Sequence, residues 1–400
     1  MHKFARISLY TTAWAVTRTW AILAGFQHIT YPSGQFLFSD VSLYDWWGGN
    51  LIHGHFPLND PMWQYPPFAA FIFGLGYSIA RNMVGFVALA VLADFVLLIV
   101  IMRAQLKSSK TNDAGVLLWS AAPILMGPIM LGRFDVFPTL LTVLALLAAG
   151  PLAFGAYSAI GTLLKVWPGL ALIGSPAKQG GRTVAAFAIM FISGSYLSRL
   201  WWPDSFAFLS GQKARGLQIE SVGALPWILL NARTHNVNMQ LQYGAMEIIA
   251  AHTSLMNLVI TLSGIALLGT LVIWRMKGRL AGISTAHITL TAVLVSMITS
   301  RVLSPQYMVW VIGILCVCLI TPNSSTTPIA LLLCVSSLAT QIVYPWQYQS
   351  FMSGTFIGIA AQLIRIGCLL AATVVAWRHV SKNLEPKRQG LTQQVEVPVA

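Results

Sequence analysis

The sequence predicts an all-α, polytopic integral membrane protein with about 12 transmembrane helices and two large loops on the outer face. The first observation is composition, because 56% of the 400 residues are hydrophobic and only 9% are charged. The second is that apolar runs of roughly 17 to 25 residues recur along nearly the whole chain, and such a run lets a helix cross about 30 Å of hydrocarbon. This pattern excludes an ordinary soluble domain.

The apolar runs predict the helices in chain order. We expect spans near residues 7–28, 67–80, 83–103, 114–131, 135–150, 152–174, 183–200, 248–274, 283–300, 306–320, 327–343 and 354–377. The first run has the basic flanks of a signal peptide. It is long, however, contains Arg18 and lacks a small-residue cleavage site, so we interpret it as a retained signal anchor.

Twelve crossings from a cytoplasmic N-terminus return the C-terminus to the cytoplasm. Residues 1–382 then form a single transmembrane domain. Residues 29–66, the first loop, and residues 201–247, the second loop, lie on the outer face of the plasma membrane. Residues 383–400 are polar and have no apolar period, which predicts a disordered cytoplasmic tail.

The charge balance fits a membrane protein. Lys plus Arg number 24 and Asp plus Glu number 11, a formal net charge of +13 that would suggest a nucleic-acid partner for a soluble protein. Here bases follow apolar spans, as at Arg182 and Arg275, so the positive-inside rule explains them and we expect no nucleic acid. One loop disagrees, because Arg103 and Lys107 would lie outside. The interruption from Pro123 to Pro128 predicts a broken or re-entrant helix nearby.

The first loop places acid, aromatic and proline residues between two apolar spans. Val41 to His53 is predicted to form an interfacial helix with Asp40 at its N-terminal end. The residues expected to face lipid are Leu43, Trp46 and Trp47. A carboxylate beside hydrocarbon is costly, which makes Asp40 a functional candidate. The alternative is that Asp40 serves only as a helix N-cap.

Other charged positions have both functional and structural interpretations. Arg215 and Arg301 are candidate phosphate-binding cations, because a guanidinium can hold phosphate oxygens bidentately. The alternatives are an ion pair between Arg215 and Glu220, and an Arg301 that snorkels to the interface. Lys165 lies in mid-span, so it either pairs with Asp94 or contacts a lipid phosphate.

Two further polar groups have structural interpretations. Arg133 and Asp135 open a predicted helix, and on this topology they lie at its cytoplasmic end as an anchor and a cap. His53, His55 and Asp60 could together bind a divalent ion, but their spacing alone is poor support for a metal site. We therefore predict no metal.

Several motifs in order resemble a known family. An Asp in the first loop is followed by aromatic residues, by Gly54-His55-Phe56-Pro57 and by Tyr65-Pro66-Pro67. Further motifs are Gly132-Arg133-Phe134-Asp135, Lys165-Val166-Trp167-Pro168 and Ser304-Pro305-Gln306-Tyr307. Over roughly residues 35 to 310 the chain resembles the GT-C superfamily of membrane glycosyltransferases. More narrowly, it resembles glycosyltransferase family 87 (DUF2029 type), the polyprenyl-phosphate-mannose-dependent mannosyltransferases.

The resemblance implies an α-mannosyltransferase. A hexose, mannose in that family, would move from a polyprenyl-phosphate donor to an envelope glycolipid or glycan on the outer face, with inversion and with Asp40 as general base. A polyprenyl phosphate is a good leaving group and needs no general acid, but cations must stabilise the negative charge of the departing phosphate. The candidate cations are Arg215, Arg301 and Lys165. The candidate substrate-binding residues are Asp45, Tyr65, Glu220, Gln306 and Tyr307. No cofactor beyond the lipid-linked donor is implied.

Three alternatives remain open. An arabinofuranosyltransferase would use a similar carrier and fold. A secondary transporter or lipid flippase would also be basic and would cross the membrane repeatedly, and mid-span charges such as Asp94 and Lys165 suit it. The charged outer loops and the absence of an internal repeat argue against transport. The third alternative is a structural subunit of an envelope complex.

Overall fold

The structure, a computed structural model, describes residues 3–58, 60–108, 112–175 and 179–385. The all-α prediction is confirmed, with eighteen α-helices among these residues. Five helices are long and apolar enough to cross a membrane: Met83–Lys107, Gly180–Trp201, Thr253–Met276, Thr326–Trp346 and Phe356–Lys382. These five indicate a multi-pass membrane protein, while the count of twelve stays a prediction. The predicted tail from residue 386 onward lies outside the described residues.

The secondary structure is numbered in chain order. The helices are α1 Lys3–Gly25, α2 Ser39–Ile52, α3 Phe68–Ile79, α4 Met83–Lys107, α5 Ala114–Ser120, α6 Ala122–Met126, α7 Val136–Leu146, α8 Pro151–Leu164, α9 Ala171–Gly174, α10 Gly180–Trp201, α11 Phe208–Ala214, α12 Leu225–Thr234, α13 Thr253–Met276, α14 Thr285–Ile298, α15 Met308–Ile320, α16 Thr326–Gln341, α17 Tyr348–Met352 and α18 Phe356–Lys382. The strands are β1 Leu217–Gln218, β2 Met239–Gln242 and β3 Ala245–Ile248.

Helix α15 runs through the centre of the bundle. Every residue from Met308 to Ile320 is buried. A helix that is apolar on all sides is buried on all sides. It packs against α5 and α7, where Cα of Gly313 approaches Thr139 so closely that no side chain fits between them. By contrast, α10 and α13 are exposed along most of their length, as expected of helices that face lipid.

Prolines break the expected span at 114–131, and buried side chains bind the carbonyl groups that are freed. Pro123 cannot donate to the carbonyl of Trp119, four residues earlier. Arg18 Nη2 donates to that carbonyl at 2.9 Å. Pro128 frees another carbonyl, to which Gln341 Nε2 donates at 3.1 Å. The predicted broken helix is therefore present, as α5, α6 and a short 3₁₀ turn.

Asp94 does not pair with Lys165. It forms a bidentate ion pair with Arg18, at 2.8 Å from Nε and 2.9 Å from Nη2. Trp14 Nε1 donates to the same carboxylate at 2.5 Å. The expected partner was wrong because α1, not α8, carries the side chains that reach Asp94.

Proline also breaks the expected span at 152–174. Pro168 has no N–H for the carbonyl of Leu164, and its ring would clash with that carbonyl, so α8 ends at Leu164. Lys165 therefore stands at a helix end instead of in mid-span. Its Nζ lies 2.6 Å from Asp135 Oδ1, which replaces the expected pair with Asp94.

Two segments lie at the end of the bundle opposite to the one predicted. Asp113, just after α4, forms an ion pair with Arg6 near the start of α1. The basic end of α4 thus lies with the N-terminus and not with the first loop. Arg133, expected on the N-terminal side, instead forms an ion pair with Asp40 of the first loop. The prediction failed because α3 packs along α2 and does not run the length of the bundle.

The helix predicted for the first loop is present as α2, and its placement at a membrane interface stays a prediction. Asp40 lies in its first turn, but the N-cap residue is Phe38 and no side chain caps the helix, so the N-cap interpretation of Asp40 is wrong. Trp47, expected to face lipid, is fully buried, with its ring 5.0 Å from that of Trp63. Trp46 is 56% exposed, as expected.

The second loop contains a small antiparallel sheet that the sequence analysis did not predict. Its strand order is β1-β3-β2, with Leu217 and Met239 both opposite Ile248. Strands β2 and β3 form a hairpin whose two turn residues, Tyr243 and Gly244, have φ of 49° and 73°. Positive φ at both turn positions is typical of a tight hairpin and favours glycine. This hairpin projects toward the first loop, where Gln64 Nε2 donates to the Tyr243 carbonyl at 3.3 Å.

Candidate active site

A cavity of about 710 Å³ lies between the two loops and the nearby helix ends. Its walls come from α2, from the first and second loops, from the β2–β3 hairpin and from the segment before α15. The predicted site residues that line it are Asp40, Tyr65, Lys165, Arg215, Glu220, Arg301, Gln306 and Tyr307. The fold thus brings together residues that are up to 267 positions apart in the chain, from Asp40 to Tyr307.

Asp40 is the more accessible of the two carboxylates that line the cavity in the described residues. Its side chain is 33% exposed, and its Oδ1 forms an ion pair with Nη1 of Arg133. Arg133 is 6% exposed, and its Nη2 lies 3.4 Å from the Tyr344 hydroxyl. Because the guanidinium is rigid and buried, it fixes the carboxylate at the cavity wall. Oδ2 has no hydrogen-bond donor among the described residues and is available to a ligand.

Tyr65 lies beside Asp40 at the wall of the cavity. Its hydroxyl forms a 2.7 Å hydrogen bond with that of Tyr44, and both rings pack on Phe73. Burial raises the pKa of the Tyr65 phenol, and the Asp40 carboxylate raises it further. The phenol therefore stays neutral and supplies hydrogen bonding without charge.

Lys165 lines the cavity. Its side chain is 19% exposed, and Asp135, with which it pairs, is 1% exposed. Trp310 Nε1 also donates to Asp135 Oδ1, at 2.6 Å. Three rings surround the ammonium group, since Nζ lies 5.9, 5.4 and 5.2 Å from the centroids of Tyr65, Tyr307 and Trp310. Aromatic faces attract a cation at such distances.

Arg215 and Arg301 line the cavity, but most of their hydrogen bonds hold the second loop in place. Arg301 Nη1 donates to the carbonyl of Arg215 at 2.9 Å, and Nη2 donates to that of Gln212 at 3.0 Å. Arg215 Nη2 donates to the Tyr243 carbonyl at 3.3 Å, and Nε lies 3.9 Å from Glu247 Oε1. Arg301 is thus not a free interface anchor, and Arg215 faces Glu247 instead of the expected Glu220.

Glu220 is tied to α18. Its Oε2 lies 2.5 Å from Arg365 Nη1, and Gln218 Nε2 donates to its Oε1 at 3.2 Å. Arg365 Nη2 also donates to the carbonyl of Leu303 at 2.8 Å. Burial raises the pKa of the Glu220 carboxyl, although the Arg365 guanidinium opposes this rise. These bonds occupy both carboxylate oxygens, so Glu220 shapes the cavity and joins the second loop to the bundle.

Gln306 and Tyr307 stand at the 3₁₀ turn that leads into α15. Both are partly buried and line the cavity. The Tyr307 ring is stacked on Trp310, with centroids 3.9 Å apart, and Trp310 is stacked on Trp167 at 5.0 Å. The stack gives the cavity an aromatic wall of fixed orientation.

Asp45 is the predicted site residue that does not line the cavity. It lies on another side of α2, and its Oδ1 is buried without a hydrogen-bond partner among the described residues. Burial raises the pKa of this carboxyl. The expected substrate contact is therefore not supported, because residues 40 and 45 of one helix point in different directions.

Three charged groups that shape the site were not among the predicted site residues. Arg133 and Asp135 were expected to open their helix on the cytoplasmic side; they do precede α7, but there they hold Asp40 and Lys165. The Gly132-Arg133-Phe134-Asp135 motif was the available signal. The third is Arg365, a charge in the middle of α18, and a charge within an apolar helix is itself an indication of function.

The histidines of the first loop show no metal geometry. His53 Nδ1 contacts the Gly49 carbonyl at 2.7 Å, and Asp60 accepts a hydrogen bond from Trp47 Nε1 at 2.8 Å. In the described part of the chain, no group of three or more His, Cys, Asp and Glu side chains is placed to hold a metal ion.

Comparison of the chain with protein-family models, with curated proteins and with solved structures gives no match. The site must therefore be interpreted from its own chemistry.

Proposed function

We propose that this chain is a membrane glycosyltransferase of GT-C type, similar to family 87, that transfers mannose from a polyprenyl-phosphate donor to an envelope glycolipid or glycan. The observation that carries the proposal is the arrangement around Asp40. A partly exposed carboxylate, fixed by a buried arginine, shares one cavity with the cations Lys165, Arg215 and Arg301. A base and several cations are what glycosyl transfer from a lipid phosphate requires.

The chemistry uses Asp40 as general base. Its free Oδ2 accepts the proton of the acceptor hydroxyl while that oxygen forms a bond to C1 of the sugar. The bond from C1 to the phosphate oxygen breaks, and its electron pair stays on the polyprenyl phosphate. One displacement inverts the anomeric carbon, and no general acid is needed because the phosphate is already a good leaving group. Tyr65, Gln306 and Tyr307 then contact the sugar.

The proposal includes twelve crossings, with changed assignments. Successive crossing helices end alternately on the two sides of the membrane if α2 and α3 both lie at the end of the bundle that holds the cavity. Residues 151–174 then pass outward as α8 and back inward as the shorter segment that ends in α9, whose 3₁₀ turn and helix, of four residues each, together reach only about 14 Å. On this arrangement the cavity faces outward, both termini are cytoplasmic, and the basic end of α4 lies inside, as the positive-inside rule requires.

The test is transfer of labelled mannose from synthetic polyprenyl-phosphate mannose to an envelope lipid extract by purified protein. Asp40→Asn keeps the shape of the side chain but removes the base, and we expect turnover to fall roughly 10²- to 10⁴-fold while the donor still binds. The matched control is Asp45→Asn, an acid-to-amide change in the same helix away from the cavity, which should keep normal transfer.

Near-normal transfer by Asp40→Asn would refute the assignment of the base. Transfer only from a polyprenyl-phosphate arabinose control would keep the reaction class and change the sugar. If wild-type protein is silent with both donors, the enzyme proposal fails and a transporter becomes the better interpretation.

A further inference from the structure

Lys165 has hydrogen-bond donors for which the described residues provide no acceptor. An ammonium group carries three N–H donors. Among the described residues, Asp135 Oδ1 is the hydrogen-bond acceptor for this group, at 2.6 Å. The side chain reaches the cavity and is 19% exposed, so its remaining donors face the space that a ligand would fill.

The other cations of the cavity are more fully engaged. Arg301 uses both terminal nitrogens on backbone carbonyls of the second loop. Arg215 contacts a carbonyl of the hairpin and the carboxylate of Glu247. Arg133 is paired with Asp40. A new anion would have to compete with these partners, whereas at Lys165 it would meet unused donors.

Asp135 pairs with Lys165 from outside the cavity lining. Its carboxylate is 1% exposed and does not line the cavity, so it cannot reach a ligand directly. It accepts from Lys165 and from Trp310 on the same oxygen, while its Oδ2 is buried without a hydrogen-bond partner in the described part of the chain. The stacked rings beside it leave the ammonium group little freedom to move.

Lys165 and Asp40 line the same cavity, and both lie near Tyr65. The Tyr65 ring is 5.9 Å from Lys165 Nζ, and the Tyr65 hydroxyl is within electrostatic range of Asp40. In an inverting displacement the acceptor and the leaving phosphate lie on opposite faces of C1, so the base and the phosphate cation must be two separate groups, as Asp40 and Lys165 are.

We propose that Lys165 forms the subsite for the phosphate of the lipid-linked donor, with Asp135 as its positioning residue. This inference rests on the proposed function and deepens it. As the C1–O bond breaks, its electron pair moves to the phosphate oxygen, and the new negative charge develops beside Nζ. Asp135 acts through Lys165, which it keeps at the cavity wall by ion pairing, and Arg215 and Arg301 serve chiefly to shape the second loop.

The experiment measures binding and needs no turnover. Isothermal titration calorimetry on the purified full chain in detergent compares geranylgeranyl monophosphate, geranylgeraniol and inorganic phosphate. The alcohol controls for the lipid tail, and inorganic phosphate shows whether a free anion suffices. The proteins are wild type, Lys165→Met, Asp135→Asn and the double variant, which removes both charges and so avoids an unpaired buried carboxylate. Lys107→Met, at the exposed end of α4, is the matched control.

We expect wild type and Lys107→Met to bind the lipid monophosphate well, the alcohol poorly and inorganic phosphate weakly. Lys165→Met should lose roughly 10- to 100-fold in affinity for the monophosphate, the loss of one charge-assisted hydrogen bond. Asp135→Asn should weaken binding less. The double variant should match Lys165→Met, because a positioning residue has no effect once the residue it positions is gone.

Three results would overturn the inference. Unchanged monophosphate binding by the variants lacking Lys165, with a loss in Arg215→Ala or Arg301→Ala, would move the phosphate to the second loop and leave the proposed function intact. A double variant much weaker than Lys165→Met would give Asp135 an independent role. If wild type does not distinguish monophosphate from alcohol, both the subsite and the lipid-phosphate donor of the proposed function are refuted.

Discussion

Arg18→Met removes the side chain that joins α1 to α4 and to the break between α5 and α6. Arg18 is 1% exposed, and its guanidinium makes two bonds to Asp94, at 2.8 and 2.9 Å. It also donates to the carbonyl groups of Trp119 at 2.9 Å and Ser120 at 2.7 Å. Methionine fills much of the same volume but donates no hydrogen bond, so the variant isolates the polar contribution.

The magnitude follows from the groups that lose their partner. Leaving Asp94 without its counter-charge in a buried site costs about 3 to 5 kcal/mol. The Trp119 carbonyl loses its side-chain donor, which adds about 1 to 3 kcal/mol, whereas the Ser120 carbonyl still accepts from the Thr17 hydroxyl at 2.7 Å. Even the low ends of these two ranges total about 4 kcal/mol, which approaches the whole stability of a protein at about 5 to 15 kcal/mol. We therefore expect little folded Arg18→Met protein.

The assay is the yield of monodisperse protein by size-exclusion chromatography in detergent, followed by thermal unfolding of what remains. Arg103→Met, an exposed position of α4, controls for the loss of a positive charge from the bundle. The double variant Arg18→Met/Asp94→Leu should recover part of the yield, because the unpaired carboxylate is gone although the Trp119 carbonyl still lacks its donor. A single variant with wild-type yield and melting temperature would refute the argument.

Two further predictions concern α2. Gly48→Ala should lower the melting temperature, because the added Cβ would lie 2.4 Å from the Phe73 carbonyl oxygen. The control is Gly211→Ala in α11, where an added Cβ meets nothing within 4 Å, so this variant should be neutral or stabilised by about 0.5 to 1 kcal/mol. Equal melting temperatures of the two variants would contradict the close packing of α2 on α3. Asp45→Asn should melt at or above the wild-type temperature at neutral pH. Burial raises the pKa of the Asp45 carboxyl in the folded protein, so the protonated carboxyl favours folding at low pH, and this contribution is lost as the pH rises through the folded-state pKa. The difference from wild type should shrink on acidification, and a variant less stable than wild type at neutral pH would show that the ionised carboxylate is needed.

Part of the site could be predicted from the sequence. Asp40 was singled out because an acid beside hydrocarbon needs a reason to be there, and the cavity includes it. Its partner Arg133 lies 93 positions away, and no local pattern connects the two. Asp94 was matched with the wrong cation for the same reason, because helices that are apolar on every side do not reveal which face meets which neighbour.

The sequence by itself determined what depends on composition and on local chemistry. Its apolar runs require helices in a membrane, its prolines at 123, 128 and 168 break those helices, and the amphipathic stretch after Asp40 becomes α2. Only the tertiary structure decided which charges pair, which loops meet and that α3 packs along α2. Those outcomes depend on contacts between segments far apart in the chain. The sequence contains the charged residues but does not show which of them pair. The free-energy cost of leaving a buried charge or carbonyl without a partner decides that in the folded structure.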